Sequence, residues 1–276
     1  LGTETATLTG SSVESAGSPI TSRGVCWGRT AAPSLTDADG TTVDGAGAGT
    51  FDSALTGLAP GTHYSVRAYA ASPAGTAYGE ERELTALRRD QTIAFPELVD
   101  RAYGDPPFDV LASATSGLPL NVTSSDPGVA SVTGLSVTLY GAGAVTLTAS
   151  QAGNGEWLPA TPVSRTLVVA RAVPVLSWET PVRVSYGTAL SSVQLNAGSD
   201  WAGTLTYSPP DGTVLNAGEH ALQVTFTPAD PDNVGDGTAA VVLTVDPAVL
   251  TATAVNEQRA YGGANPVFSI VYGGFV

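Results

Sequence analysis

Three stretches decide how this chain is read: "RAYGDPPF" at 101–108, "VSYGTAL" at 184–190 and "RAYGGANPVF" at 259–268. Each sets Tyr-Gly behind a small residue, and Tyr103, Tyr186 and Tyr261 stand 83 and 75 residues apart. The intervals also close alike, on "TPVSRTLVVARA" at 161–172 and "TAAVVLTVDPA" at 238–248, with "GEERELTALRRDQ" at 79–91 ahead of the first mark. Each unit therefore opens shortly before a Tyr-Gly and closes on an alternating strand. A period of this size is too long for a solenoid and suits tandem small sandwich domains.

Composition agrees. The chain has 276 residues, 42% hydrophobic and 13% charged, with 32 Gly and 19 Pro. That load of Gly and Pro punctuates regular elements and opposes long helices. A net charge of −14 repels phosphate backbones and anionic lipid, which makes nucleic acid and membrane surfaces poor partners. All 11 basic residues are Arg. One cysteine, Cys26, allows no internal disulfide. No stretch approaches a membrane span, no signal peptide is visible, and the lack of Met reads as a segment of a longer open reading frame.

Period-2 alternation runs through every unit. In "SVTLYGAGAVTLTAS" (136–150), Val137 and Leu139 face inward, as do Val145, Leu147 and Ala149, which predicts a hairpin turning at Gly-Ala-Gly. In "HALQVTFTP" (220–228), Leu222, Val224 and Phe226 share one face, with Gln223, Thr225 and Thr227 on the other. Turns flank a short strand in "PPDGTVLNAGEH" (209–220). The first unit has no Tyr-Gly opening. There Tyr64, Val66, Ala68 and Ala70 alternate with His63, Ser65, Arg67 and Tyr69.

The run Leu58-Ala-Pro-Gly-Thr-His-Tyr64 resembles the corner of a fibronectin type III domain. "RGVCWGRTAAPS" (23–34) and "DGAGAGTF" (44–51) are similar to its bacterial version, found in large surface and secreted proteins. The resemblance implies that Leu58 packs in the core, Pro-Gly makes the turn, and the Tyr64 hydroxyl bonds to nearby backbone. Residues 91–132 with the following "GAGAVTLTASQAGNGEWLPATPVSRTLVV" resemble a bacterial immunoglobulin-like repeat, and 173–228 resemble a close relative of it. Residues 250–275 resemble the start of a YGX-type (MBG-type) repeat. Tyr103, Tyr186 and Tyr261 are then structural markers of an early strand and turn, with the ring packed into the sandwich and Gly freeing the bend.

The expected architecture is all-β: tandem Ig-like and fibronectin type III-like sandwiches in an extended row. The expected bounds are 1–87 (its first strand missing), 88–171, 172–247 and the start of a further domain at 248–276. Both end units look incomplete, so further chain or a neighbouring molecule is expected to complete their edges.

Candidate sites are few. His63 and His220 lie in different units, with no partner at metal-ligand spacing and no nucleophile–base pairing. Clustered Asp suits calcium best, at Asp230, Asp232 and Asp236 beside Asn233, and less well at Asp37, Asp39 and Asp44. The bland alternative is that these residues build turns. Trp27, Trp157 and Trp178 are expected in cores, and Trp201 is the one to test as a sugar platform. Cys26 reads as a buried small hydrophobe. "LPATP" (158–162) departs from a sortase signal, and "NVT" (121–123) is a formal glycosylation sequon. The linkers near 87–90, 170–173 and 246–249 are short, which favours a semi-rigid row.

The expected role is non-catalytic: a stalk, spacer or filament block of a large bacterial surface or secreted protein, located extracellularly. Its partners would be neighbouring domains or adjacent copies. The alternative is an adhesin-type module that binds glycan or protein through end loops.

Overall fold

The structure, a computed structural model, describes residues 2–13 and 17–275. Strands, turns and bends account for all regular structure among them, with no helix. Four sets of strands follow one another along the chain, and no sheet mixes strands from two sets. Contacts gather the chain into two compact units. One comprises Leu1–Leu98, Pro107–Thr138 and Val145–Leu167; the other comprises Val99–Pro106, Leu139–Ala144 and Val168–Val276.

In the first sandwich, Thr5–Val13 pairs antiparallel with Gly49–Thr56, with a bulge between Leu8 and Ser11. Facing this pair, Ser22–Gly28 lies between Gly40–Thr41 and His63–Ser72, and the latter also pairs with Gly75–Tyr78 and Arg82–Thr85. Alternation buries Phe51, Ser53 and Leu55 on one face of Gly49–Thr56, where they meet Val25, Trp27, Leu58, Tyr64 and Val66. At the corner, Leu58 and Tyr64 are both 2% exposed, and the Ala59 N–H donates to the Tyr64 hydroxyl at 2.8 Å. The aromatic ring thus fills the core while its oxygen satisfies a turn amide.

Tyr69 corrects the simple alternation. It stands on the expected outer face, yet it is 3% exposed and its hydroxyl donates to the Thr42 carbonyl at 2.7 Å. The segment after Gly40–Thr41 continues along Ser22–Gly28 through Thr42 N–H to Val25 O and Asp44 N–H to Arg23 O. Alternation assigns a face but not what covers it.

The second sandwich has a sheet ordered Phe108–Asp109, Ser136–Leu139, Ala130–Thr133, and a small pair of Ile93–Ala94 with Ser113–Ala114. Opposite is a four-stranded sheet ordered Asn121–Ser124, Gly143–Ser150, Val163–Ala170, Arg101–Ala102. The hairpin expected over 136–150 is absent, because Ser136–Leu139 and Gly143–Ser150 belong to different sheets. The Gly-Ala-Gly link crosses between layers. Val137, Val145, Leu147 and Ala149 are all buried, since both strands turn their apolar faces to the same core. Inward alternation is identical for a hairpin and for an inter-sheet crossing.

In the third sandwich the sheet order is Val184–Ser185, Gly237–Asp246, Gly218–Pro228, Gly203–Ser208, with Leu176–Ser177 and Gly198–Ser199 paired separately. Leu222, Val224 and Phe226 are at most 1% exposed, as their alternation requires. The short strand expected after Pro210 is a single bridge, Val214 to Ala189. A last pair, Thr251–Ala254 with Ile270–Gly273, forms the fourth set. The fold is all-β, built of tandem sandwiches.

The Tyr-Gly marks are one turn built three times. Asp105 N–H donates to Ala102 O, Thr188 N–H to Ser185 O, and Gly263 N–H to Ala260 O, each at 3.1 Å. The third residue of each turn is the glycine, with φ of +91°, +93° and +80°. This is type II geometry, where positive φ at that place demands Gly. Two of the rings stay out of the cores they were expected to fill, Tyr186 being 36% exposed and Tyr261 fully exposed, whereas Tyr103 is half-buried and packs with Trp201 against the cluster of Ala172, Phe226 and Val234. What the mark fixes is backbone.

Replacing Tyr64 by Phe leaves the partly buried Ala59 N–H unpaired, so the first sandwich should lose roughly 1–2 kcal/mol. Hydrogen exchange along His63–Ser72 in urea reads this, and unchanged protection there would refute the corner's role. A second outcome concerns acid. The Glu81 carboxylate accepts the Ser65 hydroxyl at 2.7 Å and the Ala32 N–H at 2.8 Å, and these bonds, Ser65 first, hold its pKa below the ordinary range. A depressed carboxylate stabilises the fold above its unfolded value of about 4.3, and the effect is lost as pH falls through the folded value. Glu81→Gln should therefore flatten the decline in urea midpoint between about pH 5 and 3, read by the same exchange probe.

Candidate functional site: clamped linkers

The expected ligand groups disperse. His63 Nδ1 meets the Thr85 hydroxyl at 3.1 Å and its Nε2 lies 3.7 Å from Glu83, whereas His220 Nε2 meets Asn216 O at 2.7 Å. Asp37 Oδ1 accepts from Ser34, Asp39 Oδ2 from the Arg29 N–H, and Asp44 Oδ2 from the Thr42 and Ser53 hydroxyls. Those bonds to Ser34 hold the Asp37 pKa below the usual carboxylate range. Asp230, Asp232 and Asp236 do not converge as a calcium site requires. Asp230 Oδ2 accepts from Asn233 Nδ2 at 2.8 Å, and among the described residues no three His, Cys, Asp or Glu gather as a metal site. Cys26 is fully buried, its thiol donates to Pro33 O at 3.2 Å, and desolvation pushes its pKa up.

What the structure does assemble are two clamps on the linkers. In the first compact unit, Arg89 forms an isolated parallel bridge with Trp157. The Arg89 N–H donates to Glu156 O at 2.7 Å, and the Leu158 N–H donates to Arg89 O at 2.8 Å. The Arg89 guanidinium lies 5.6 Å over the Trp157 ring and pairs with Glu4. Trp157 is thus half-buried at a joint, not in a core. Next door, Gln91 is 7% exposed with its amide satisfied by Gln151, Leu158 O and the Ser116 hydroxyl. Asn154 shapes the gripping loop by accepting from the Glu156 and Trp157 amides, both at 2.9 Å. "LPATP" begins inside this clamp, at Leu158.

The corner of the first sandwich abuts the same loop. A Cβ on Gly61 would stand 1.8 Å from Gly155 O, and Gly61 has φ of +68°. Arg88 Nη1 also donates to Asn154 O at 3.3 Å. Only a glycine lets the two backbones approach so closely.

In the second compact unit the device recurs on a different sequence. Ala172 bridges Val234 in parallel; its N–H donates to Asn233 O and the Gly235 N–H donates to Ala172 O, both at 2.9 Å. Asn233 Oδ1 accepts the Ala142 N–H at 2.7 Å, and Arg171 Nη1 donates to Pro231 O at 3.1 Å. Trp201, the candidate sugar platform, stacks instead on Tyr103 with ring centroids 5.5 Å apart, beside buried Phe226 and Val234. Trp178 packs on the third core and donates to Gln194 O at 3.0 Å. The acidic loop 229–237 is therefore a linker clamp, and Asn233 is its pivot. Sequence reading missed Asn154 and Gln91, set Asn233 beside a calcium site, and gave Gly61 only a place in the corner turn. The available signal was that both Asn-containing loops immediately precede the last strand of their sandwich.

Gly61→Ala should separate the first clamp from the corner while leaving the core intact. Exchange at the Arg89 and Leu158 amides should rise at least tenfold with little change along Ser22–Gly28; equal protection of both would count against the close approach. In the second unit, Asn233→Ala should expose the Ala142 amide selectively.

No protein-family model and no curated protein matches the chain. Among solved structures, it is similar to Drosophila N-cadherin EC1-4, at 13% identity over 87% of this chain and 70% of that one, with a TM-score of 0.25. It is also similar to the chicken CNTN1 FN1-FN3 domains, at 9% identity over 88% of this chain and 95% of that one, with a TM-score of 0.26.

Proposed function

We propose that the chain is a non-catalytic structural segment, a spacer whose sandwich modules are held in a semi-rigid extended row by clamped linkers. Its modules would be 1–87, 88–171, 172–247 and a further one beginning at 248. The observation that carries this reading is the repeated two-bond bridge at Arg89–Trp157 and Ala172–Val234. A free hinge needs a linker whose backbone bonds to water; here both linkers bond to the following module. The resemblance to bacterial fibronectin-like and Ig-like repeats supports a place in a large secreted or cell-surface protein. Adjacent modules or copies would be the partners, and the acidic surface would keep neighbouring chains soluble.

Small-angle scattering on the whole chain tests the reading. Three sandwiches in a row should give a maximum dimension on the order of 100 Å that is insensitive to salt. Asn233→Ala combined with Gly61→Ala should broaden the distance distribution. A compact particle, or an ensemble as broad before the substitutions as after them, would overturn the spacer. Selective capture on a panel of glycans or extracellular proteins would instead support recognition through end loops.

A further inference from the structure

We propose that the third sandwich is a tension-bearing unit: its first and last segments are pinned in parallel where the chain comes in and where it leaves, so a pull along the chain loads both pins in shear. The inference goes beyond the spacer reading, which a mechanically weak sandwich would leave intact.

The incoming pin is Ala172 against Val234, two backbone bonds wide. It is shielded, because Ala172 is 5% and Val234 2% exposed. The outgoing pin pairs Val184 with Val245 and Ser185 with Asp246, again in parallel. The Tyr186 N–H extends it by donating to Asp246 O at 2.8 Å. Val245 is buried in the core with Leu190, Leu222 and Leu243, and half-buried Val184 packs against it, which shields the Val184–Val245 end of the pin from water. Arg183 adds an exposed ion pair to Asp246 at 3.3 Å.

Direction decides the mechanics. In a parallel pair, tension draws the early strand back toward the preceding module and the late strand forward toward the next. The two slide past one another along a common axis, and all their bonds must stretch together. In an antiparallel pair pulled from adjacent ends, bonds open one at a time. The second sandwich repeats the arrangement at Arg101–Ala102 against Val169–Ala170, with the Tyr103 N–H donating to Ala170 O at 2.8 Å. The first sandwich supplies an internal contrast. Among the described residues its ladders are all antiparallel, and Leu87 N–H to Gly2 O is a single bond.

The turn offers a clean variant. Tyr186 occupies the second place of a type II turn, where Pro is favoured, and the residue before it already lies in a strand, as a following Pro prefers. Tyr186→Pro removes the N–H while keeping the turn. The whole chain is held by its two ends at constant force, and the lifetime of each unfolding step is measured. Tyr64→Phe identifies the step of the first sandwich by shortening it. Tyr186→Pro should shorten the lifetime of a different step about tenfold, while the urea midpoint falls no further than it does in Tyr64→Phe. Tyr186→Phe, which keeps the N–H, should match the parent chain. An unchanged lifetime in Tyr186→Pro, or an equal loss in Tyr186→Phe, would overturn the proposal. Should Tyr186→Pro fail to fold, the order of steps in the parent chain decides. The first sandwich yielding before the third supports the pins, and the reverse order refutes them.

Discussion

Backbone amides in a linker must find partners, and in this chain they find them in the module that follows. That single constraint organises both joints. Each linker gives one N–H and takes one N–H from a loop ahead of a final strand, at Arg89 and at Ala172. A pair of such bonds contributes little net free energy in water, of order 1 kcal/mol each. Their effect is geometric, because a residue bonded on both sides can no longer serve as a hinge.

Charge plays a smaller part. The ion pairs Arg29–Asp39, Arg82–Glu80 and Arg183–Asp246 are exposed, and pairs of this kind contribute at most about 1 kcal/mol. The buried polar groups matter more. Ser53 is fully buried and Gln91 nearly so, and each is satisfied by named partners. Losing one partner would strand a desolvated group, which costs more than the bond itself contributes. The sandwiches are therefore held by alternating apolar faces and by a few polar networks whose members cannot be exchanged singly.

Much of the fold was legible because alternation is a local property. Leu222, Val224 and Phe226 had to share a face, whereas the corner at Leu58 and Tyr64 was legible only through the family resemblance. The pairing of strands was less legible. Val137 and Val145 point to one core whether their strands are neighbours or lie in opposite sheets, so the link at 140–143 read as a hairpin and proved to be a crossing. Tyr69 looked exposed because its cover comes from Thr42, distant in sequence. The rings of Tyr103 and Tyr186 were assigned to cores because aromatic residues usually go there; Tyr103 does pack on the cluster of Ala172, Phe226 and Val234, whereas Tyr186 stays partly exposed. Asp230 and Asn233 suggested a metal since clustered acids can bind one, but an Asx-rich loop is also the natural way to turn a backbone toward a linker.

The two gripping loops, "QAGNGEWLPA" and "ADPDNVGDG", have little sequence in common, yet they present the same pair of backbone groups. Backbone pairing tolerates such drift, since it asks only for a loop of suitable curvature. Side chains then individualise each joint: an Arg-over-Trp stack and a close glycine pair at one, Asn233 and the Tyr103–Trp201 contact at the other. The feature that must persist is the parallel contact between a module's first and last segments, because it orients the incoming peptide and aligns it with the strand that leaves.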